Sequence, residues 1–294
     1  MSASGVRTAP GLTASNVSRL IRLRSQTGTW LLMLPTLWAL VLSSRGIPPW
    51  RLLVIFMLGS FLMRSAGVIL NDLADQSFDR HVTRTRERPL ASGELRPGHA
   101  LAVLAILLTL AAWLVVQLNP LTVMLSPVAF ALAALYPFAK RVVHLPQAVL
   151  GVAFGWGTIM AWSASRDTIE AAAWLTFGAT ICWAIAYDTI YALQDMEDDR
   201  RIGVKSSALY FGSGIWLAVG MACAALLVLL AIGAGMMGIG WIAYVALAVA
   251  GTLFARQVNE LRKPISSARA FKLFHQHVWI GTVVLCGLVL GFLW

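Results

Sequence analysis

Eight of the thirteen carboxylates in this 294-residue chain fall in two short stretches, each closing a long apolar run. The first, residues 71–79, holds Asp72, Asp75 and Asp79; the second, residues 188–199, holds Asp188, Asp195, Glu197, Asp198 and Asp199. Asn71, Asp75 and Asp79 recur every fourth residue, so a helix continuing out of the apolar run sets three oxygen-bearing side chains on one face. Asp195 and Asp199 repeat that spacing. Hard oxygen ligands of this kind suit Mg²⁺, which keeps several waters and takes one or two carboxylates plus substrate phosphates. Basic residues follow each stretch: Arg80, Arg84, Arg86 and Arg88 after the first, Arg200, Arg201 and Lys205 after the second. Metal ions and guanidinium forks together are what a diphosphate requires. Either stretch alone reads as well as a solvated helix end; their repetition at matching positions favours the chemical reading.

The elements that must position these residues are membrane helices. With 59% hydrophobic and 12% charged residues, and a mean hydropathy of +0.75, the chain is far more apolar than a soluble domain. Crossing the hydrocarbon takes roughly 20 apolar residues. Several runs meet that, and nine spans are read, at about 29–44, 51–72, 99–118, 120–139, 145–164, 171–193, 211–232, 236–256 and 274–294. Tight turns at Asn119-Pro120 and at Gly233 to Gly235 imply helical hairpins. The expected fold class is thus an all-α integral membrane protein, nine transmembrane helices around a central cavity. The acidic stretches close the second and sixth spans, which gives a loose four-helix internal repeat and lets them face each other. Residues 1–28, with Arg7, Arg19, Arg22 and Arg24 and no apolar core, read as a cytosolic leader, and 29–294 as one domain.

Nineteen of the twenty-three basic residues fall on one side if the N-terminus is cytosolic; Arg45, Arg51 and Arg166 fall on the other and Arg64 within a span. The positive-inside rule therefore puts the N-terminus and both acidic stretches in the cytosol and the C-terminus outside. It also accounts for the net charge of +10 without any nucleic-acid partner. Cys182, Cys223 and Cys286 read as small core residues, since they lack metal-ligand spacing. The twelve tryptophans suit interfacial belts and bundle packing. His275 and His277, near the start of the last span, are expected at the membrane surface. Arg64 lies seven residues before Asn71, on nearly the same helix face and about 10 Å deeper. A charge there is costly, so it must face a partner or a cavity.

Asn71-Asp72-x-x-Asp75-x-x-x-Asp79 followed by Arg84-Thr85-x-x-Arg88-Pro89-Leu90-x-Ser92-Gly93 resembles the first signature of the UbiA superfamily of intramembrane prenyltransferases. Asp188-x-x-Tyr191-Ala192-x-x-Asp195-x-x-Asp198-Asp199-x-x-x-Gly203-x-Lys205-Ser206 resembles the second. Tyr136-Pro137-Phe138-x-Lys140-Arg141, with His144-Leu145-Pro146-Gln147, is similar to the 4-hydroxybenzoate branch, which makes ubiquinone precursors in bacteria. The resemblance runs from about residue 20 to the C-terminus.

It implies a nine-helix bundle in the bacterial inner membrane. This bundle would bind a polyprenyl diphosphate through Mg²⁺ with the prenyl tail directed toward membrane lipid. Asn71, Asp75, Asp79, Asp195 and Asp199 would hold the Mg²⁺-diphosphate unit, and Arg84, Arg88 and Lys205 would neutralise the leaving group. Asp195 is then either a metal ligand or the base that holds the phenolic proton. Arg141 and Arg64 are the candidate cations for the 4-hydroxybenzoate carboxylate; Arg64 has the alternatives of orienting Asp75 or of a structural ion pair. Tyr191, one turn before Asp195, orients it or simply packs. One departure stands in the leader: relatives often carry Asp-Lys-Pro ahead of the glycine at Gly28, where this chain has Arg24-Ser25-Gln26-Thr27, so Arg22 or Arg24 would take the lysine's place. A prenyltransferase for another aromatic acceptor and a cation-coupled transporter are the competing functions. Prenyl length and oligomeric state are not encoded in these patterns.

Overall fold

The computed structural model describes residues 11–143, 145–203 and 206–294, leaving aside the side chains at 140, 141, 198, 199 and 202. Its helices are α1 (Ala14–Leu20), α2 (Thr27–Ser44), α3 (Trp50–Ala74), α4 (Gln76–Asp79), α5 (Pro97–Val115), α6 (Pro120–Val142), α7 (Pro146–Arg166), α8 (Ala171–Ala192), α9 (Met196–Ile202), α10 (Ser207–Phe211), α11 (Ile215–Met236), α12 (Trp241–Glu260) and α13 (Ser267–Leu293). Nine of them are long and, among the described residues, there is no strand.

Eight of the nine long helices have the length and apolarity to cross a membrane on their own; α8 does not reach that apolarity. Its position explains this. It packs against α7 and α11, with further contacts to α13 and α2, and Thr176, Thr180, Trp183, Tyr187 and Thr189 are all buried in protein. The chain is a multi-pass membrane protein, and the polar residues of α8 are accommodated because 11 of its 22 residues are buried against neighbouring helices.

Local sequence explains most boundaries. Proline stands at the first helical position of α5, α6 and α7, where its missing N–H costs nothing. Asn119 caps α6 by accepting from the Thr122 amide at 2.9 Å, so the expected Asn-Pro turn is present. The Gly233 to Gly235 turn is not: those residues are helical, and the chain reverses at Met237 to Gly240, with Gly238 at φ +74°. The glycines instead permit close approach. A Cβ at Gly235 would stand 2.9 Å from the Tyr244 hydroxyl.

Such close approach is what holds helices together where lipid is as apolar as the side chains. At Gly151 of α7, a Cβ would lie 2.8 Å from Ile181 Cα and 3.0 Å from its carbonyl oxygen on α8. Because the obstacle is backbone, a Gly151→Val substitution has to push the helices apart. It is expected to cost about 1–3 kcal/mol, the range for overpacking; an unchanged melting temperature in detergent would show that this contact is not tight.

The core fills with aromatics. Trp38 and Trp183 meet edge to face at 5.3 Å, and their indole N–H groups donate to the carbonyls of Gly281 and Leu31 at 3.1 and 3.3 Å. The tryptophans divide as expected, with Trp38, Trp162 and Trp183 buried and Trp50, Trp241, Trp279 and Trp294 on the outer surface. His277 is a correction: it is fully buried against Trp183, Tyr187 and Phe254 rather than at the surface. Of the three unpaired cysteines, Cys223 is core but Cys286 is exposed.

The four-helix repeat is visible in the packing. The second long helix packs on the third as the sixth does on the seventh, and the fourth on the fifth as the eighth on the ninth. Each acidic stretch ends a long helix and turns into a short one, α3 into α4 and α8 into α9. Seven of the nine long helices, α2, α3, α5, α6, α7, α8 and α13, line one cavity, while α11 and α12 supply no lining residue among the described ones.

Candidate active site

The helix that carries Asn71 does not run straight through Asp79. It stops at Ala74, and Asp75 takes φ −99° and ψ 5°, near the bridge region, before α4 begins; such backbone geometry is common where a chain turns at a site. Hydrogen bonding nevertheless keeps the four-residue step, with the Asp75 amide donating to Asn71 O and the Asp79 amide to Asp75 O, both at 2.9 Å. Asn71, Asp75 and Asp79 therefore all reach one cavity, and Tyr191 and Asp195 reach it from the end of α8. Its volume is about 820 Å³. Asp75 and Asp79 are 4% and 7% exposed.

Arginines bind the carboxylates around the cavity mouth. Arg84 donates from Nε and Nη2 to the two oxygens of Asp195 at 2.9 and 2.5 Å, and from Nη1 to the Tyr191 hydroxyl at 2.9 Å. Arg88 Nη1 bridges Asp79 at 2.8 Å and Asp72 at 3.0 Å. The first and second acidic stretches are thus joined through the loop between α4 and α5.

Asp72 is a residue that spacing did not nominate. It is 1% exposed and receives both Arg88 and Arg22, the latter from Nη2 to its two oxygens at 2.8 and 3.0 Å. Between the two leader candidates the geometry selects Arg22, since Arg24 is exposed and outside the cavity lining. Arg22 ends α1 in a Schellman turn, with Leu23 N donating to Ser18 O and Arg22 N to Arg19 O. Its φ of 55° is left-handed, where glycine is usual and another residue costs about 1 kcal/mol. The Asp72 contact is what an arginine gains there. Burial lowers the Arg22 pKa and Asp72 offsets part of that. For Arg84, burial is outweighed by its hydrogen bonds to Asp195, which raise its pKa.

Deeper in, Arg64 lines the cavity, as its mid-span charge required. Three buried polar atoms on this wall have no partner among the described residues: Arg64 Nε, Tyr187 Oη and Gln147 Oε1. Facing them are apolar residues of α5 and α6, including Leu108, Ala111, Val115 and Phe130. Of the remaining expected site residues, the side chains of Arg141 and Asp199 and the whole of Lys205 lie outside the described residues.

The donors at the mouth are all oxygen, which fits a hard cation. No three His, Cys, Asp or Glu side chains converge on one point among the described residues. The protein side of such a site is therefore sparse, the arrangement in which a substrate's phosphate oxygens complete the shell of Mg²⁺.

A membrane-embedded helical bundle with paired acidic stretches, arginines at the mouth and an apolar interior defines a class of enzyme acting on amphipathic diphosphates. The chain belongs to the UbiA prenyltransferase family, which matches residues 32–292. The 4-hydroxybenzoate octaprenyltransferase of Klebsiella pneumoniae subsp. pneumoniae is 44% identical over 275 residues, 94% of this chain and 95% of that protein. The protein of the same name from Cupriavidus necator is 44% identical over 94% of this chain and 96% of its own length. Among solved structures, the apo UbiA homologue from Aeropyrum pernix K1 superposes with a TM-score of 0.76 at 26% identity, covering 89% of this chain and 97% of that one. A UbiA homologue from Archaeoglobus fulgidus bound to GPP and Mg²⁺ shares the fold, with a TM-score of 0.60 at 17% identity over 92% and 99% of the two chains.

Proposed function

We propose that this protein transfers a polyprenyl group from its diphosphate to C3 of 4-hydroxybenzoate, releasing diphosphate, as a step of ubiquinone synthesis in the bacterial inner membrane. The observation that carries the reading is the division of one cavity into an acid- and arginine-lined mouth and an apolar interior that holds Arg64, whose Nε has no hydrogen-bond partner among the described residues. The names of the relatives at 44% identity support it.

Asn71, Asp75, Asp79 and Asp195, with Asp199, would hold Mg²⁺, which when bound stabilises the charge that builds on the leaving diphosphate. Arg84, Arg88 and Arg22 exchange their carboxylate partners for phosphate oxygens and, with Lys205, neutralise the same charge. The C–O bond of the prenyl diphosphate breaks with both electrons going to diphosphate, and the allylic carbon left behind is captured by the ring carbon ortho to the phenol. The ring then loses its proton and regains aromaticity. Arg64 binds the acceptor's carboxylate, and Tyr187 and Gln147 offer further polar contacts on the same wall. Asp195 holds the phenolic proton or the metal; Tyr191 is tied to it through Arg84. The apolar wall of α5 and α6 accommodates the prenyl tail and keeps water from the cation. The mouth carries the leader and the basic loops, which supports a cytosolic N-terminus and a periplasmic C-terminus.

Purified protein in detergent, given geranyl diphosphate and 4-hydroxybenzoate with Mg²⁺, is expected to form 3-geranyl-4-hydroxybenzoate and to stop with EDTA. Product with a different phenol only would replace the acceptor. No turnover with any phenol would sink the enzymatic reading in favour of transport.

A further inference from the structure

We infer that Gly28 is a positioning residue for the aromatic acceptor: the side chain it lacks is the space in which the Arg64 guanidinium lies. This rests on the reading of Arg64 as the carboxylate anchor. A Cβ at position 28 would stand 2.5 Å from Arg64 Nε, 2.6 Å from Nη2 and 3.0 Å from Cζ. No pair of such atoms tolerates that approach, so any larger residue must displace the guanidinium.

Three observations separate this role from an ordinary helix glycine. First, Gly28 sits in the first turn of α2 with no left-handed φ, so the backbone has no need of glycine, and alanine is the better helix former by up to about 1 kcal/mol. Second, the atoms in the way are the end of a flexible side chain and not a neighbouring backbone, so the substitution acts on Arg64 rather than on the fold. Third, the start of α2 is tied to the opposite wall. Thr27 Oγ1 lies 3.2 Å from His275 Nε2 on α13, and the His275 ring lies 4.3 Å from Phe271. The Gln26 side chain also bonds on both flanks, accepting from Thr29 Oγ1 at 2.6 Å and donating to Arg22 O at 2.9 Å. Position 28 therefore does not retreat, and Arg64 yields.

The Arg64 Nε has no hydrogen-bond partner among the described residues, so the edge of the guanidinium next to Gly28 is held by packing. Gly28 acts as the flat face against which the planar guanidinium rests, and the location of that plane sets how far the acceptor's ring lies from the allylic carbon. A misplacement of about 1 Å in such a geometry costs on the order of 10²-fold in rate.

The test is steady-state kinetics of Gly28→Ala, Arg64→Ala and the double variant with geranyl diphosphate, 4-hydroxybenzoate and Mg²⁺, alongside melting temperatures in detergent. Gly28→Ala is expected to lower kcat by up to about 10²-fold as the ring is misplaced and to raise KM for 4-hydroxybenzoate by about tenfold, the factor that corresponds to one lost charge-assisted contact, with KM for geranyl diphosphate and the melting temperature unchanged. In the Arg64→Ala background the same change should have no further effect on acceptor KM, since the group it displaces is gone. An unchanged acceptor KM in Gly28→Ala, or additive effects in the double variant, overturns the inference. If Arg64→Ala itself leaves acceptor KM unchanged, the anchor reading fails; if it raises KM while Gly28→Ala is silent, only the role of Gly28 fails. Should Arg64→Ala not fold, Arg64→Gln serves in both arms.

Discussion

An Asp195→Ala protein is expected to lose about 10²–10⁴-fold in kcat, the range for removing a positioned proton acceptor, and the manner of the loss tells which role Asp195 plays. If it holds the phenolic proton, the variant's rate should climb with pH as the acceptor's hydroxyl ionises unaided, toward the phenol range near about 10. If it is a metal ligand, added Mg²⁺ should restore rate at fixed pH and the slope with pH should match the parent's. Arg84, which also donates to the Tyr191 hydroxyl at 2.9 Å, is common to both arms, so the comparison rests on their different responses to pH and to Mg²⁺. A variant with parental kcat would take Asp195 out of the chemistry altogether.

Replacing Asp72 has the second large effect, and it arises at a cavity-lining carboxylate whose visible partners are two arginines. Asp72→Ala deletes the shared acceptor of Arg22 and Arg88, whose side chains are 26% and 17% exposed. Arg88 retains Asp79, whereas Arg22 keeps its left-handed backbone with only a 3.3 Å bond from Nη1 to Arg19 O. Removing one partner of a fully buried pair costs about 3–5 kcal/mol, and the partial exposure here brings that to about 1–3 kcal/mol. The expected result is a lower melting temperature together with a KM for prenyl diphosphate raised by about tenfold, as the two cations lose their aim. Acceptor KM should stay put. Parental values on both counts would show that the Asp72 pairs contribute nothing.

What the sequence could and could not reveal follows from the range of each interaction. The nine helices and the acidic ends of α3 and α8 were legible because apolar length and local spacing are properties of contiguous residues. Arg64 was legible because a charge inside a span has few permitted surroundings. Asp72 was not, since it stands beside Asn71, off the four-residue face, and its partners lie 50 and 16 residues away. The role of Arg22 was half legible: the missing lysine drew attention to the leader, but only packing distinguishes Arg22 from Arg24. The break at Asp75 escaped because a continuing helix and a turn that preserves the same hydrogen-bond step read alike. The glycines at 233 and 235 misled for the converse reason, as glycine marks both turns and close helix contacts.

The modest apolarity of α8 bears on how the protein is made. A segment that includes Asp188, three threonines and two tyrosines gains little by partitioning into hydrocarbon alone, since an aspartate within a span opposes insertion. It enters the bilayer in company, shielded by α7 before it in the chain and α11 after it. The half of the site that bears Asp195 is therefore seated only once α11, starting at Ile215, has left the ribosome. Until then only the first acidic stretch has its supporting helices, and the site is completed late in biogenesis by a helix that supplies none of its described lining residues.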